Sequence, residues 1–214
     1  MILYYVPDAF SSPAGGIRVI YRHVDILNRN GLAAAVLHHT PGFRLDWFAN
    51  DTRIEYIPDI VAAPNDIVVL PEGFAPQAAT AFPGLRKVLF NQNCYYTFVN
   101  YPLGYTGAYA YNEVLAVITA SEEGKHYLGY AFPGCAIHAV VYSVDPKLYF
   151  YEPTLKKRRI AFMPRKNAED AKQVVAMLRL RGVTCPMVPI HDVSLEEAAR
   201  LLRESEFFMS FGHP

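Results

Sequence analysis

The chain has 214 residues, 52% of them hydrophobic and 19% charged, and its 20 basic side chains balance 20 acidic ones at a formal charge of zero. This excludes a disordered chain, which would be poorer in apolar residues and carry more net charge. It also argues against a general nucleic-acid binder, and no apolar run approaches the roughly 20 residues that span a bilayer.

The length fits one large domain or two small ones. Cys94, Cys135 and Cys185 are odd in number, widely spaced and without a C-x-x-C pair. That pattern argues against a disulfide framework or a structural zinc site and makes a reducing cytoplasm the expected compartment. The N-terminus MILYYVPDAF has no basic leader and runs straight into a predicted strand, so secretion by a signal peptide is not expected.

Ile2–Val6 is an apolar run followed by a loop that ends in Pro13-Ala14-Gly15-Gly16. Ile17, Ile20, Tyr21, Val24 and Leu27 then fall on one helical face, and Asn30-Gly31 closes the helix. Ala33–Leu37 follows as a buried strand, which completes a βαβ opening and predicts a parallel sheet. Further short apolar runs follow at Ile54–Ile57, Ile67–Leu70, Lys87–Asn91, Val114–Thr119 and Ile137–Tyr142. They have the composition of strands buried on both faces. In such sheets ligands bind beyond the carboxyl ends of the strands, so Pro71-Glu72-Gly73, Asn91-Gln92-Asn93 and Ala120-Ser121-Glu122 are where function is sought.

Tyr149–Thr154 and the basic run Lys156–Arg159 have the look of a connector. The composition then restarts as β-α-β-α-β. Its parts are a strand at Ile160–Met163, a helix capped by Asn167, a strand at Met187–Ile190, a helix opened by the capping box Ser194-Leu195-Glu196-Glu197, and a strand at Glu206–Phe211. Three strands and two helices make a meagre domain, so the end at Pro214 is expected to be a cut. The fold class expected is therefore α/β. Residues 1–152 form a Rossmann-like N-terminal domain and 153–214 the first part of a second one.

In order and spacing, these segments resemble a GT-B glycosyltransferase of the retaining family-4-like group. The carriers are Pro13-Ala14-Gly15-Gly16, Asn91-Gln92-Asn93, Thr119-Ala120-Ser121-Glu122, Val144-Asp145-Pro146-Lys147-Leu148-Tyr149, and Pro164-Arg165-Lys166-Asn167. The Val144 segment is similar to the family's G-V-D-x-x-x-F, with Ser143 where glycine is usual. The Pro164 segment is similar to a shortened G-R-…-K-G donor loop, with Pro164 and Asn167 in place of glycines. The family's E-x7-E carboxylates would fall just after Pro214. The resemblance thus implies an acceptor-side domain plus part of a donor domain, with weak or no turnover.

It further implies transfer of a sugar from a nucleotide-diphospho-sugar, the co-substrate, to a glycan, lipid-linked or small-molecule acceptor. Configuration would be retained, without metal or bound cofactor. Arg165 and Lys166 are the expected catalytic cations on the leaving diphosphate, one gripping bidentately and one as a point charge. Gly15 and Gly16 are expected to bring helix amides close to the phosphate. Asn91, Asn93 and Tyr95 are expected to line an acceptor site, with Ser121 and Glu122 beside them. Plainer readings stand alongside: a tight turn at the glycines, a solvated basic pair, turn-forming asparagines with packed tyrosines, and a helix cap at Ser121-Glu122. For Glu72 a solvated loop position is the expectation.

The seven histidines show no ligand spacing, and no G-x-S-x-G elbow is present. The aromatic stretch Tyr95–Tyr111 is read either as core packing or as a surface for a lipid-linked acceptor or membrane. The basic run adds a second route to peripheral membrane contact. Two alternatives to transfer remain open: a non-catalytic glycan- or partner-binding protein of the same architecture, and a nucleotide-sugar epimerase.

Overall fold

The computed structural model describes residues 1–8, 14–165 and 167–211. The chain is α/β and divides into two compact units, Met1–Tyr142 and Ser143–Pro214. The division falls before the expected 152/153 boundary because the intervening segment packs within the second unit. Arg203 Nη1 donates to the Leu148 carbonyl at 3.4 Å, and its guanidinium lies 4.4 Å from the Phe150 ring centre.

Unit 1 holds β1 (Ile2–Tyr5), α1 (Gly15–Arg29), β2 (Ala34–His38), β3 (Ile54–Tyr56), β4 (Ile67–Pro71), β5 (Arg86–Asn91), β6 (Ala116–Thr119), α2 (Glu122–Ala131) and β7 (Ile137–Ala139). The strands form one seven-stranded parallel sheet in the order β3-β2-β1-β4-β5-β6-β7, a Rossmann-like arrangement. The strand order reverses between β1 and β4.

Strand geometry sends neighbouring side chains to opposite faces, and the core follows that rule. Tyr4, Val36, Val69, Val88 and Phe90 pack on one face against Ile17, Ile20, Tyr21 and Val24 of α1. Tyr5, Val68, Leu70, Leu89 and Val117 pack on the other against Leu128 of α2, Phe132 and Tyr111. The sheet is therefore covered on both sides, as its near-continuous apolar strands require. Helix α1 stops at Asn30, and Gly31 takes the left-handed φ of 78° that a residue with a β-carbon adopts only at a cost. The Asn28 side chain then grips both the N–H and the carbonyl of Ala34 at 3.0 and 2.9 Å, which fixes where β2 begins.

Two predicted strands are shorter than their apolar runs. β6 starts at Ala116 because Ala110–Asn112 forms a 3₁₀ turn, with the Val114 N–H bonded back to Ala110. β7 ends at Ala139, leaving Tyr142 outside the sheet.

Unit 2 holds β8 (Lys157–Met163), α3 (Ala168–Leu180), β9 (Met187–Pro189), α4 (Leu195–Glu204) and β10 (Ser205–Ser210), with a parallel sheet ordered β10-β8-β9. Its core is small, centred on Ala161, Ile190 and Leu201. Part of the expected connector is in fact strand: Lys157, Arg158 and Arg159 of the basic run belong to β8. Lys156 Nζ donates to the Ser205 carbonyl at 2.7 Å, while Lys157 and Arg159 pair with Glu204 at 2.7 and 3.3 Å. Three of the four basic side chains of the run thus have partners within unit 2.

The capping box forms only in half. Ser194 Oγ accepts the Glu197 N–H at 3.2 Å, but the Glu197 carboxylate turns to Arg200 at 2.5 Å. A charge-assisted pair wins over a neutral amide. Asn167 precedes α3 without a side-chain cap; its Nδ2 donates instead to the Phe211 carbonyl.

Leu89, fully buried in the central strand β5, is the test of the two-faced core. Leu89→Ala is expected to cost about 2–5 kcal/mol in urea unfolding.

Candidate functional site

Parallel strands deliver their carboxyl ends to one edge of the sheet, and the switch between β1 and β4 marks where a ligand-binding edge is expected. Three segments of unit 1 meet there: Val6–Asp8 after β1, Glu72-Gly73 after β4, and the first turn of α1. Among the described residues no side chain caps α1, and its first turn carries no acidic residue. Its leading amides and the positive end of its dipole have no side-chain acceptor among those residues, the arrangement that favours an anion.

Glu72 is 9% exposed, which corrects the expectation of a solvated loop residue. Burial is the larger influence on its carboxyl and holds it above the ordinary glutamate range, opposed in part by nearby backbone amides, those of Gln92 and Asn93 after β5 among them. Gln92 is held by the Tyr142 hydroxyl, which donates to Gln92 Oε1 at 2.8 Å. The same side chain lies against Gly16, where a β-carbon would come 2.8 Å from Oε1. A β-carbon at Gly16 would have to displace the end of the Gln92 side chain, whereas Gly15 has open space around it.

Asn91 is 0% exposed and supports the site from beneath instead of lining it. Its Nδ2 donates to Thr97 Oγ1 at 2.9 Å and to the Tyr111 hydroxyl at 2.8 Å, and its Oδ1 has no hydrogen-bond partner among the described residues. Asn93 caps the turn Cys94–Tyr96 by accepting the Tyr95 N–H at 3.0 Å, and Tyr95 itself is 63% exposed. Ser121 caps α2 by accepting the Gly124 N–H at 3.0 Å, and the exposed Glu122 lies 3.8 Å from Lys125. The turn and cap interactions expected of Asn93, Ser121 and Glu122 are therefore made.

The other side of the switch point carries a buried Tyr-His-Asp chain that the sequence did not announce. His38 is 0% exposed; its Nε2 is 2.7 Å from the Tyr21 hydroxyl, and its Nδ1 is 3.1 Å from Asp8 Oδ1 and 3.0 Å from the Val6 carbonyl. Nδ1 faces two acceptors, the Val6 carbonyl and the Asp8 carboxylate, so the ring proton is assigned to Nδ1 and Tyr21 donates to Nε2. Asp8 also accepts the His39 and Thr40 amides at 3.0 and 2.8 Å. Burial lowers the His38 pKa, and the amide and hydroxyl bonds lower that of Asp8 despite its partial burial. In the sequence the only trace of this network is the pair His38-His39 at the end of an apolar run.

The aromatic stretch is mostly packing: Tyr101, Tyr105 and Tyr109 cluster with ring centres 4.8–5.2 Å apart, and Tyr111 stacks on Phe132 at 4.4 Å. In unit 2, Arg165 follows β8 and is exposed, while Lys166 lies outside the described residues. No helix among the described residues is long and apolar enough to cross a membrane, and no group of three His, Cys, Asp or Glu among them could hold a metal ion.

Tyr21→Phe leaves His38 Nε2 buried without a donor and is expected to cost about 1–3 kcal/mol in denaturant unfolding. His38 and Asp8 share one sign. The unfolded chain takes up protons more readily at both, so this corner loses stability as pH falls below the ordinary histidine range, and again below the ordinary aspartate range. Tyr21→Phe and wild-type melting curves across that interval should both decline toward acid, and His38→Gln should flatten the upper part of the decline. Gly16→Ala should displace Gln92 and break its bond to Tyr142, costing about 1 kcal/mol, with Gln92→Ala in the same background recovering most of the loss. No protein-family model matches the sequence, and no curated protein matches it.

Proposed function

We propose that the protein takes part in sugar transfer from a nucleotide-diphospho-sugar, with unit 1 on the acceptor side and Arg165 and Lys166 acting on the diphosphate. The observation that carries this reading is the switch point of unit 1. A parallel sheet covered on both faces presents there an uncapped helix N-terminus with a close glycine approach at Gly16, next to a buried carboxyl at Glu72. The order of motifs along the chain, from Pro13-Ala14-Gly15-Gly16 to Pro164-Arg165-Lys166-Asn167, supports the same assignment by resemblance to GT-B enzymes.

In this reading, the departing diphosphate builds negative charge that fixed cations stabilise more in the transition state than in the ground state. Arg165 stands where β8 gives way to α3, the strand-to-helix junction at which nucleotide folds receive phosphates. The amides of Gly15 and Gly16 suit a phosphate, and the hydroxyl-bearing acceptor meets the exposed face of Tyr95, whose ring suits stacking on a sugar. Asn91 and Asn93 act by shaping the post-β5 segment, and Ser121 and Glu122 by starting α2.

A panel of uridine and guanosine diphospho-sugars, assayed for binding by calorimetry and for hydrolysis, tests the reading. Arg165→Ala is expected to lower donor affinity or turnover by about 10²-fold, the scale of removing one charge-stabilising donor. A chain that binds none of these donors, or an Arg165→Ala variant indistinguishable from wild type, sinks the assignment.

A further inference from the structure

The loop that leaves β2 meets Asp8, His38 and Tyr21, and the His38 ring lies between the other two. Asp8 accepts the His39 N–H on Oδ1 at 3.0 Å and the Thr40 N–H on Oδ2 at 2.8 Å. The Phe43 ring lies 4.8 Å from the His38 ring, and the Phe48 ring 5.2 Å from that of Tyr21, centre to centre. The imidazole joins these contacts, with Nδ1 3.1 Å from Asp8 Oδ1 and Nε2 2.7 Å from the Tyr21 hydroxyl. His38 is the last residue of β2 and is fully buried with Tyr21, while 19% of the Asp8 side chain stays open to solvent.

A neutral imidazole has one N–H and one bare nitrogen; an imidazolium has two N–H groups and no acceptor. With its proton on Nδ1, neutral His38 donates toward Asp8 and the Val6 carbonyl and accepts from Tyr21. A second proton, taken from solvent onto Nε2, would face the Tyr21 hydroxyl proton across 2.7 Å. The hydroxyl then has to turn, so that its oxygen accepts from Nε2–H. On the other side, the new charge strengthens the bond from Nδ1 to Asp8. The oxygen it engages, Oδ1, is the one that also holds the His39 amide. We propose that His38 is a proton-operated switch of the loop that leaves β2: neutral, it leaves Asp8 to the His39 and Thr40 amides, and charged, it reverses the Tyr21 hydroxyl and draws Asp8 from the His39 amide.

The groups that bias this step are Asp8 beyond β1, Tyr21 of α1 and Arg44 in the loop itself, while Tyr56 of β3 and Tyr5 of β1 face Tyr21 and Asp8 in turn. Arg44, a guanidinium, carries its charge in either state and bonds Asn50 Oδ1 at 2.6 Å and the Thr52 carbonyl at 3.1 Å. Burial raises the Tyr21 and Tyr5 phenols above their ordinary range, so neither ionises. Burial opposes the charge on Asp8, but its bonds to Thr40 and His39 hold it below the ordinary aspartate range, so it stays a carboxylate while His38 titrates. At His38 burial outweighs the neighbouring carboxylate and lowers the pKa. The fold therefore prefers the neutral ring, and the switch operates below the ordinary histidine range. There the ratio of charged to neutral ring changes about tenfold per pH unit, the limit for one proton.

The test is NMR on the full chain, labelled with carbon-13 and nitrogen-15 and carrying His39→Ala, so that the exposed neighbouring ring contributes nothing. The His38 ring nitrogens and the amides of positions 39 and 40 are followed from neutral pH into the acidic range, with the Leu89 methyl groups as a monitor of the sheet. We expect the proton on Nδ1 at neutral pH, a His38 midpoint below the ordinary histidine range, the same midpoint at both amides, and Leu89 signals that do not move with it. Asp8→Asn removes the carboxylate beside the ring and should push the His38 midpoint lower still. His38→Gln should leave both amides flat over that interval. A proton on Nε2 at neutral pH, a ring that stays neutral until the sheet unfolds, amides that stay flat while the ring titrates, or amides that titrate unchanged in His38→Gln each overturn the proposal. If His38→Gln does not fold, the titration of the ring and amides decides alone. None of these readings needs a ligand, so the switch stands or falls separately from the transfer reading.

Discussion

A parallel strand that ends at the edge of a sheet leaves the next backbone amides without ladder partners, and buried amides must be satisfied. Much of unit 1 depends on how that need is met. Asp8 reaches sideways to the loop after β2, Asn93 bonds the turn it begins, and Ser121 caps α2. Side-chain oxygens thus stabilise the irregular segments at the one edge where a doubly wound sheet presents its loops.

The two carboxylates Asp8 and Glu72 differ in their electrostatics. Asp8 sits in a chain of Tyr21, His38 and two loop amides, and its charge is welcome there. Glu72 carries its charge at a cost that burial imposes. A buried ionisable group is uncommon unless the site uses it. The buried Asn91 Oδ1, at the end of β5, has no hydrogen-bond partner among the described residues.

The architecture of unit 1 was legible because strands buried on both faces have a composition that few other elements share, and because Gly31 and the Ile17–Leu27 spacing marked α1. What escaped were interactions whose partner is backbone. Glu72 looks like any loop acid in the sequence, since only the register Pro71↔Phe90 brings the segment after β5 alongside it. His38 lay one residue beyond the predicted strand, so its burial was invisible. In unit 2 the errors came from competition between partners: Glu197 chose Arg200 over the helix start, and the basic run found Glu204 and two carbonyls. Sequence spacing proposes such pairs, but desolvation and geometry choose among them.

The three-stranded sheet of unit 2 has a further consequence. Its inner strand β8 is flanked by one strand on each side, its apolar centre is a handful of residues, and Phe207 and Phe208 of the edge strand β10 are half exposed. Cooperative protection scales with buried contact, so the molecule is graded along its length. Amide exchange and proteolytic nicking will begin in β9 and β10 while the seven-stranded sheet is still closed, and fluctuations of the loop bearing Arg165 are inherited from that softer scaffold.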